Sequence, residues 1–450
     1  MSRTTDMTSG NPARHIITFA IPLILTNFGQ QLYMIADAAI VGRGVGVKAL
    51  AAVGSTDWCY WMVLWTVSGL TQGFSTFVSR YFGEKKYKYM NKVIAMSALL
   101  CVIIGVLLTT IGLFAARPLL MLLNTPRDIL RDAALYLMTM IAGTLIVTAY
   151  NMAGSILRAF GDGKTPLCAM VIAALLNIGL DCVFVFIFKW GILGAALASV
   201  LAQLVSFIFC FLKIRKIEYV HIEQTLWKPD WKLIKELIVF GIPIAIQNII
   251  IAFGGILLQS SVNLQGSIFV AGYTATNKVY GLLECSATAL GIACCTFFAQ
   301  NYGAGKFERL NQGMRSALKV VIAMALVVMS MVLIFRKYLL QLFLDINETG
   351  GPEALETGVR YLTIMSVFLV ILYLIHIFRN VLQAMENSFW SMVSGFAELL
   401  CRVFMAKVAI HWIGSDALFI SEPVAWVGAL LCVMLPYFYF KHKVLDVNFK

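Results

Sequence analysis

Five acidic residues stand inside stretches of the sequence that are otherwise apolar: Asp37, Asp57, Asp181, Glu284 and Glu398. A carboxylate placed in hydrocarbon costs about 2.5–3.5 kcal/mol on insertion scales, so it persists where a cavity, a partner or a task compensates it. Asp37 follows Asn27, Gln30 and Met34 at steps of three or four residues, which makes a polar stripe along one helical face. Asn177 and Asp181 are spaced to stack on one face of a later segment, and Ser199 in the next segment offers a hydroxyl. Two carboxylates, an amide and a hydroxyl form an oxygen-rich set that suits a hard cation, with Na+ at Asp37, Asn177 and Asp181. The same set suits a proton, because two carboxylates at close quarters oppose joint ionisation. The residue types leave both ions open.

Other polar positions read differently. Glu398 and Arg402, at i and i+4, are spaced for an internal ion pair. Glu284 lies near Lys278 and reads either as a residue of a polar cleft or as half of a salt bridge. Asp57 falls close to the end of its segment, where solvation is easy, and His376 reads as a packing residue. The run Trp58-Cys59-Tyr60-Trp61-Met62-Val63-Leu64-Trp65 fits an interfacial aromatic belt, or else a wall against which a cation rests. No HExxH or GxSxG spacing is present, so no enzyme is read here. The ten cysteines lie almost wholly in apolar runs and form no CxxC, which excludes a zinc site or a disulfide framework.

The elements that must hold these residues follow from composition. The chain has 450 residues, of which 60% are hydrophobic and 13% charged, and a mean hydropathy of +0.84. Soluble domains, disordered scaffolds and nucleic-acid readers need more charge or polar surface than this. A bilayer core takes roughly 20 apolar residues per helix. On that measure twelve spans are expected, at 16–41, 50–78, 93–116, 132–156, 167–188, 191–212, 233–262, 268–298, 314–335, 357–383, 390–413 and 420–440. Transmembrane strands would alternate in polarity over short segments, which these do not. The net charge of +12 is placed between spans, with Lys85, Lys86, Lys88, Lys92, Lys213, Arg215 and Lys216 on the side that also holds both termini. By the positive-inside rule that side is cytoplasmic.

Sliding the chain on itself by about 221 residues, a step read from the sequence alone, brings Phe19-Ala20-Ile21-Pro22 onto Phe240-Gly241-Ile242-Pro243. The same step brings Phe82-Gly83-Glu84-Lys85-Lys86 onto Tyr302-Gly303-Ala304-Gly305-Lys306, and Asn177 and Asp181 onto Glu398 and Arg402. The expected organisation is therefore a cytoplasmic tail at 1–15, a six-helix lobe at 16–213, a cytoplasmic linker at 214–232, a second six-helix lobe at 233–441 and a tail at 442–450. Six spans per half make parallel repeats, an arrangement typical of alternating-access transporters with a central cleft.

These residues resemble the multidrug and toxic compound extrusion family over nearly the whole chain. The likeness rests on the Ile-Pro opening of both halves, on Gln31-Leu32-Tyr33-Met34-Ile35-Ala36-Asp37, on Ala49-Leu50-Ala51-Ala52-Val53-Gly54, on Leu157-Arg158-Ala159-Phe160-Gly161-Asp162, and on Asn177 to Asp181. It implies an all-α polytopic membrane protein, with twelve transmembrane helices in two pseudo-symmetric six-helix lobes. It also implies an antiporter of the plasma (inner) membrane that exports cationic or amphipathic compounds in exchange for Na+ or H+, without a cofactor. One branch of the family places its coupling site at positions matching Asp37, Asn177, Asp181 and Ser199, where the hydroxyl is commonly a threonine. Another branch uses acidic residues in helices seven and ten, and neither span carries one at its middle here, so the resemblance points to the amino-terminal lobe. Gln30, Tyr33, Met34 and Glu284 are the expected lining of the substrate cleft. The expected partners are the lipid bilayer and small substrates, not nucleic acid, with a monomer as the working unit. A flippase for lipid-linked oligosaccharide and a narrow-specificity metabolite exporter remain the alternatives. The acidic balance of the candidate cleft favours cationic cargo over a pyrophosphate.

Overall fold

The computed structural model describes residues 4–123, 125–346 and 350–442, and every regular element among them is a helix. A backbone in lipid has no water to bond with, so each segment must satisfy its own N–H and C=O groups. In chain order the first half holds α1 (Pro12–Gly44), α2 (Val47–Gly83), α3 (Tyr87–Leu122), α4 (Leu130–Ala142), α5 (Thr144–Ala159), α6 (Lys164–Asp181) and α7 (Gly191–Ile214). The second half holds α8 (Trp231–Asn263), α9 (Ser267–Gly303), α10 (Phe307–Gln341), α11 (Gly351–Val367), α12 (Leu369–Ala384), α13 (Phe389–Phe404), α14 (Ile410–Ile413) and α15 (Asp416–Lys441). Eight of these helices are long and apolar enough to cross a membrane alone, and two bent pairs raise the number to ten. With α2 and the run from α13 to α14 they account for the twelve expected spans.

Two features were not expected from the sequence. The fourth and tenth spans are broken: α4 and α5 meet at 47°, and α11 and α12 at 49°. Beside each break a hydroxyl bonds a backbone carbonyl one turn back, with Thr148 Oγ1 donating to Thr144 O at 2.7 Å and Ser366 Oγ to Leu362 O at 2.6 Å. The fifth and eleventh spans each pass from α-helix into a π-helical turn, at Cys182–Ile187 and Met405–Ala409.

The repeat is therefore visible in the backbone as well as in the sequence. α1 and α8 are each 33 residues long with an internal proline, Pro22 and Pro243. Positive-φ residues recur in step: Gly46 with Gly266, Lys85 with Gly305, Gly161 with Glu386, and Gly191 with Gly414. The spacing of these pairs lengthens after the second one. In consequence the fifth spans align about one helical turn beyond the constant step read from the sequence. Arg402, not Glu398, takes the place of Asn177.

Packing divides the chain into two compact units, one of residues 4–6 with Ile21–Ala245 and one of Met7–Ala20 with residues 246–442. Unit 1 has one core at Phe74, Met90, Met96, Phe160 and Leu237, and a second at Leu120, Leu137, Ile141 and Val185. In unit 2 the residues ahead of α1 are held as backbone. Met7 N donates to Gln300 Oε1 at 2.9 Å, Lys306 Nζ to Thr8 O at 2.8 Å and Arg309 Nη2 to Ser9 O at 2.7 Å. Asp162, in the Leu157–Asp162 motif, caps α6 by accepting from the N–H of Thr165 at 2.9 Å and from its Oγ1 at 2.6 Å.

Helices in lipid gain little from apolar burial against one another and associate through close packing and hydrogen bonds. The α9–α11 contact in unit 2 shows how. Thr276 Oγ1 donates to Gly272 O at 3.0 Å and to Gly358 O at 3.1 Å, and Tyr273 stacks on Tyr361 at 4.5 Å. A Cβ at Gly272 would run into the carbonyl of Ala354 and stand 2.9 Å from Thr357 Cβ. Gly255, by contrast, has nothing within 4 Å of an added Cβ. We expect Gly272→Ala to lower thermal stability of the purified protein by the equivalent of about 1–3 kcal/mol. Gly255→Ala is expected to leave it unchanged or to raise it, and equal melting temperatures for the two variants would contradict this packing.

Candidate functional site

In unit 1, α1 supplies Tyr33 and Asp37, α6 supplies Asn177 and Asp181, and α7 supplies Ser199. The i to i+4 spacing on α6 puts Asn177 and Asp181 on one face, and both are buried, at 1% and 0% exposure. Asn177 Nδ2 donates to Ser199 Oγ at 3.2 Å. Tyr33 is hydrogen-bonded through its side chain to the same Ser199. Ser199 thus ties α1, α6 and α7 together through one hydroxyl.

The side chains of Asp37 and Asp181 lie close enough for their carboxyl groups to interact directly. Ionised carboxylates only accept hydrogen bonds, so two of them in contact repel unless a proton or a cation is shared between them. Asp37 also keeps a buried oxygen, Oδ1, without a hydrogen-bond partner. Asp181 is the last residue of α6 before the π-helical turn, a local geometry that recurs at functional positions in helices. Among the described residues, no group of three or more His, Cys, Asp or Glu is arranged to hold a metal ion. The donor set is two carboxyls, an amide and hydroxyls.

Residues expected from the sequence fall into three groups. Asp37, Asn177, Asp181 and Ser199 come together with Tyr33. Gln30 and Met34 lie on the same helix with exposed side chains and make no recorded bond to the cluster. Glu284 belongs to unit 2, where its Oε1 lies 3.9 Å from His376 Nε2, so its recorded neighbour is the histidine. Two residues near the cluster, Tyr136 and Gln203, went unread in the sequence, and Tyr60 was read only as part of the aromatic run. Tyr60 and Tyr136 approach Tyr33 and Asp37, and Gln203 lies beside Tyr60. Gln203 stands one turn after Ser199 on α7, a spacing that carried the signal. Tyr60 was hidden in the aromatic run, whose Trp61 and Trp65 rings are 5.6 Å apart.

Unit 2 carries an ionic cluster at the corresponding spans. Arg379 Nη2 bonds Glu398 Oε1 at 2.7 Å, Arg402 Nη2 lies 3.3 Å from Glu398 Oε2, and Arg402 donates to both oxygens of Glu422 at 3.0 and 2.9 Å. The i to i+4 pair read from the sequence is thus present as one edge of a larger network.

Comparison with known proteins agrees with this architecture. The model of the MatE family matches residues 22–183 and 243–408, once in each half of the chain. The chain is 27% identical to the probable multidrug resistance protein YpnP of Bacillus subtilis, covering 98% of each. It is 28% identical to YoeA of the same organism, over 93% of this chain and 92% of that one. A crystal structure of a MATE protein in a bent conformation superposes with a TM-score of 0.89 at 23% identity, covering 99% of both chains. With two family matches that together span most of its length, this chain belongs to the MatE family and is a multi-pass membrane transporter.

Proposed function

We propose that the protein is a secondary active multidrug efflux antiporter whose coupling ion is a proton taken up between Asp37 and Asp181. The observation that carries this reading is the close approach of the two carboxyl groups, whose mutual repulsion a shared proton would turn into a hydrogen bond. Two like charges this close oppose each other, so loss of the proton drives the carboxylates apart. Asn177 and Tyr33, both bonded to Ser199, position the α6 and α1 faces that carry the two aspartates.

The cycle follows from differential affinity. An ion drives exchange only if it binds the two conformations unequally, and the cargo must feel the same difference. With the proton bound, Asp37 and Asp181 are together short of one negative charge and α1 packs against α6. With the proton lost, the pair is anionic and attracts a cationic cargo. Pro22 gives α1 a place to flex, since it donates no backbone N–H to the helix ladder. Thr26 Oγ1 already bonds the Pro22 carbonyl at 2.8 Å. Export of drugs is supported by the relatives, several of which are multidrug resistance or export proteins, and a cationic cargo by the acidic pair. The plasma membrane with both termini cytoplasmic, one six-helix lobe in each half of the chain and a monomeric working unit complete the reading.

Two measurements test it. In proteoliposomes, an imposed pH gradient should drive export of a fluorescent organic cation, while a Na+ gradient at constant pH should not. Transport driven by Na+ alone would replace the proton with sodium at the same residues. In the same vesicles, Asp37→Asn and Asp181→Asn should each cut gradient-driven export by about 10-fold or more, as loss of a shared-proton partner removes the coupling step. Export at the level of the unchanged protein in both variants would remove the dyad from the mechanism.

A further inference from the structure

The polar contact that joins α6 to α7 in unit 1 recurs in unit 2 with different chemistry. Aligned on the positive-φ residues that end each preceding helix, Arg402 stands at the place of Asn177 and Glu422 at the place of Ser199. Asn177 bonds Ser199 at 3.2 Å, and Arg402 bonds Glu422 at 3.0 and 2.9 Å, so the same two helices meet through the same two positions. Counting from Pro22 and Pro243, Gly254 stands at the place of Tyr33 and Leu258 at the place of Asp37. The side chain of Arg402 lies over Gly254, with Nη1 3.2 Å and Cδ 3.3 Å from where a Cβ would be. Its Nη1 donates to Ile251 O at 3.3 Å. Before the π-helical turn, unit 1 has Asp181 and unit 2 has Phe404.

We infer that Arg402 is a tethered cation: in unit 2 its guanidinium fills the place that an exchangeable ion takes in unit 1, so the second unit binds no coupling ion. The inference deepens the reading of Asp37 and Asp181 as the coupling pair and rests on it for the comparison of the two units. Arg402 lies between two carboxylates, Glu398 and Glu422, as a mobile ion would. Unlike a mobile ion, a guanidinium neither leaves nor gives up its proton. Arg379 neutralises the second carboxylate, at 2.7 Å from Glu398, and also bonds Ser394 Oγ at 2.8 Å. The four groups carry no net charge and are closed off, with side-chain exposures of 7% for both arginines, 6% for Glu398 and 12% for Glu422. Glu284 stands outside the four, with its side chain 41% exposed and facing His376. No arginine can be spared from the four without leaving a carboxylate buried and uncompensated. A Cβ at Gly254 would press on the arginine side chain, which would have to give by a few tenths of an ångström.

The test removes the tether and supplies a free cation. Arg402→Ala leaves Arg379, Glu398 and Glu422, hence one excess negative charge. The full-length variant in lipid nanodiscs is unfolded by heat in Na+ or guanidinium at millimolar concentration, with choline holding ionic strength constant. The expected result is a lowered melting temperature that rises saturably with the added cation, by about 3 °C at ten times the half-saturating concentration. The unchanged protein should show no such rise. Arg402→Ala combined with Glu422→Gln restores neutrality and should lose the cation dependence. Arg402→Gln, which keeps most of the side-chain volume, should show the same dependence as Arg402→Ala if the latter does not fold. A melting temperature indifferent to both cations in Arg402→Ala and Arg402→Gln overturns the inference. This readout involves no transport and no residue of unit 1, so failure of the Asp37–Asp181 coupling scheme would appear only in the vesicle experiments.

Discussion

The contact between two carboxyl groups, one on α1 and one on α6, is the constraint around which unit 1 is arranged. Neither aspartate is tolerable alone in a membrane-spanning bundle, and both are intolerable together as ions. In the proposed cycle one proton resolves the conflict. Ser199 then holds Asn177 and Tyr33, so that the helices bearing the two acids stay in register. The burial of Asn177, Asp181 and Ser199 follows from the same need, since each polar atom removed from water must find a partner nearby.

Unit 2 solves the same packing problem without exchange. Where unit 1 has amide and hydroxyl, unit 2 has guanidinium and carboxylate, and the helices are joined by charge-assisted bonds in a neutral group. Such a network is weak evidence of stability, because the desolvation of four charged groups offsets most of their attraction. Its effect is geometric. Glu398 and Glu422 each have a fixed partner, and α12, α13 and α15 are held at set distances from one another.

Much of this was legible in the sequence, for physical reasons that can be named residue by residue. Long apolar runs announce helices because lipid allows little else, and an acid within such a run announces a site because its cost must be met. Asp37, Asn177, Asp181 and Ser199 were readable on those grounds, and the structure brings them together. Gln30 and Met34 share the face of Asp37 in sequence but not its surroundings, since a helical stripe is wider than the contact it makes. Tyr60 was masked by neighbouring aromatics that fit a membrane belt equally well. The breaks at Gly143 and Phe368 carry no proline and so left no strong sequence signal. The equivalence of the fifth spans was misread by a turn because a constant step cannot follow loops of unequal length. Arg402 was consequently set opposite Asp181, an acid, when its true counterpart is the amide of Asn177.

The division of α1 and α8 makes each half depend on the other for its packing. Each helix changes allegiance near its proline: residues up to Ala20 of α1 pack with unit 2, and residues up to Ala245 of α8 pack with unit 1. The opening turns of each half are lodged in the other. A single half produced by itself would lack the segment it receives and would present its own opening turns with nothing to lodge in. Two copies of such a half would satisfy each other only by reciprocal exchange of these opening turns.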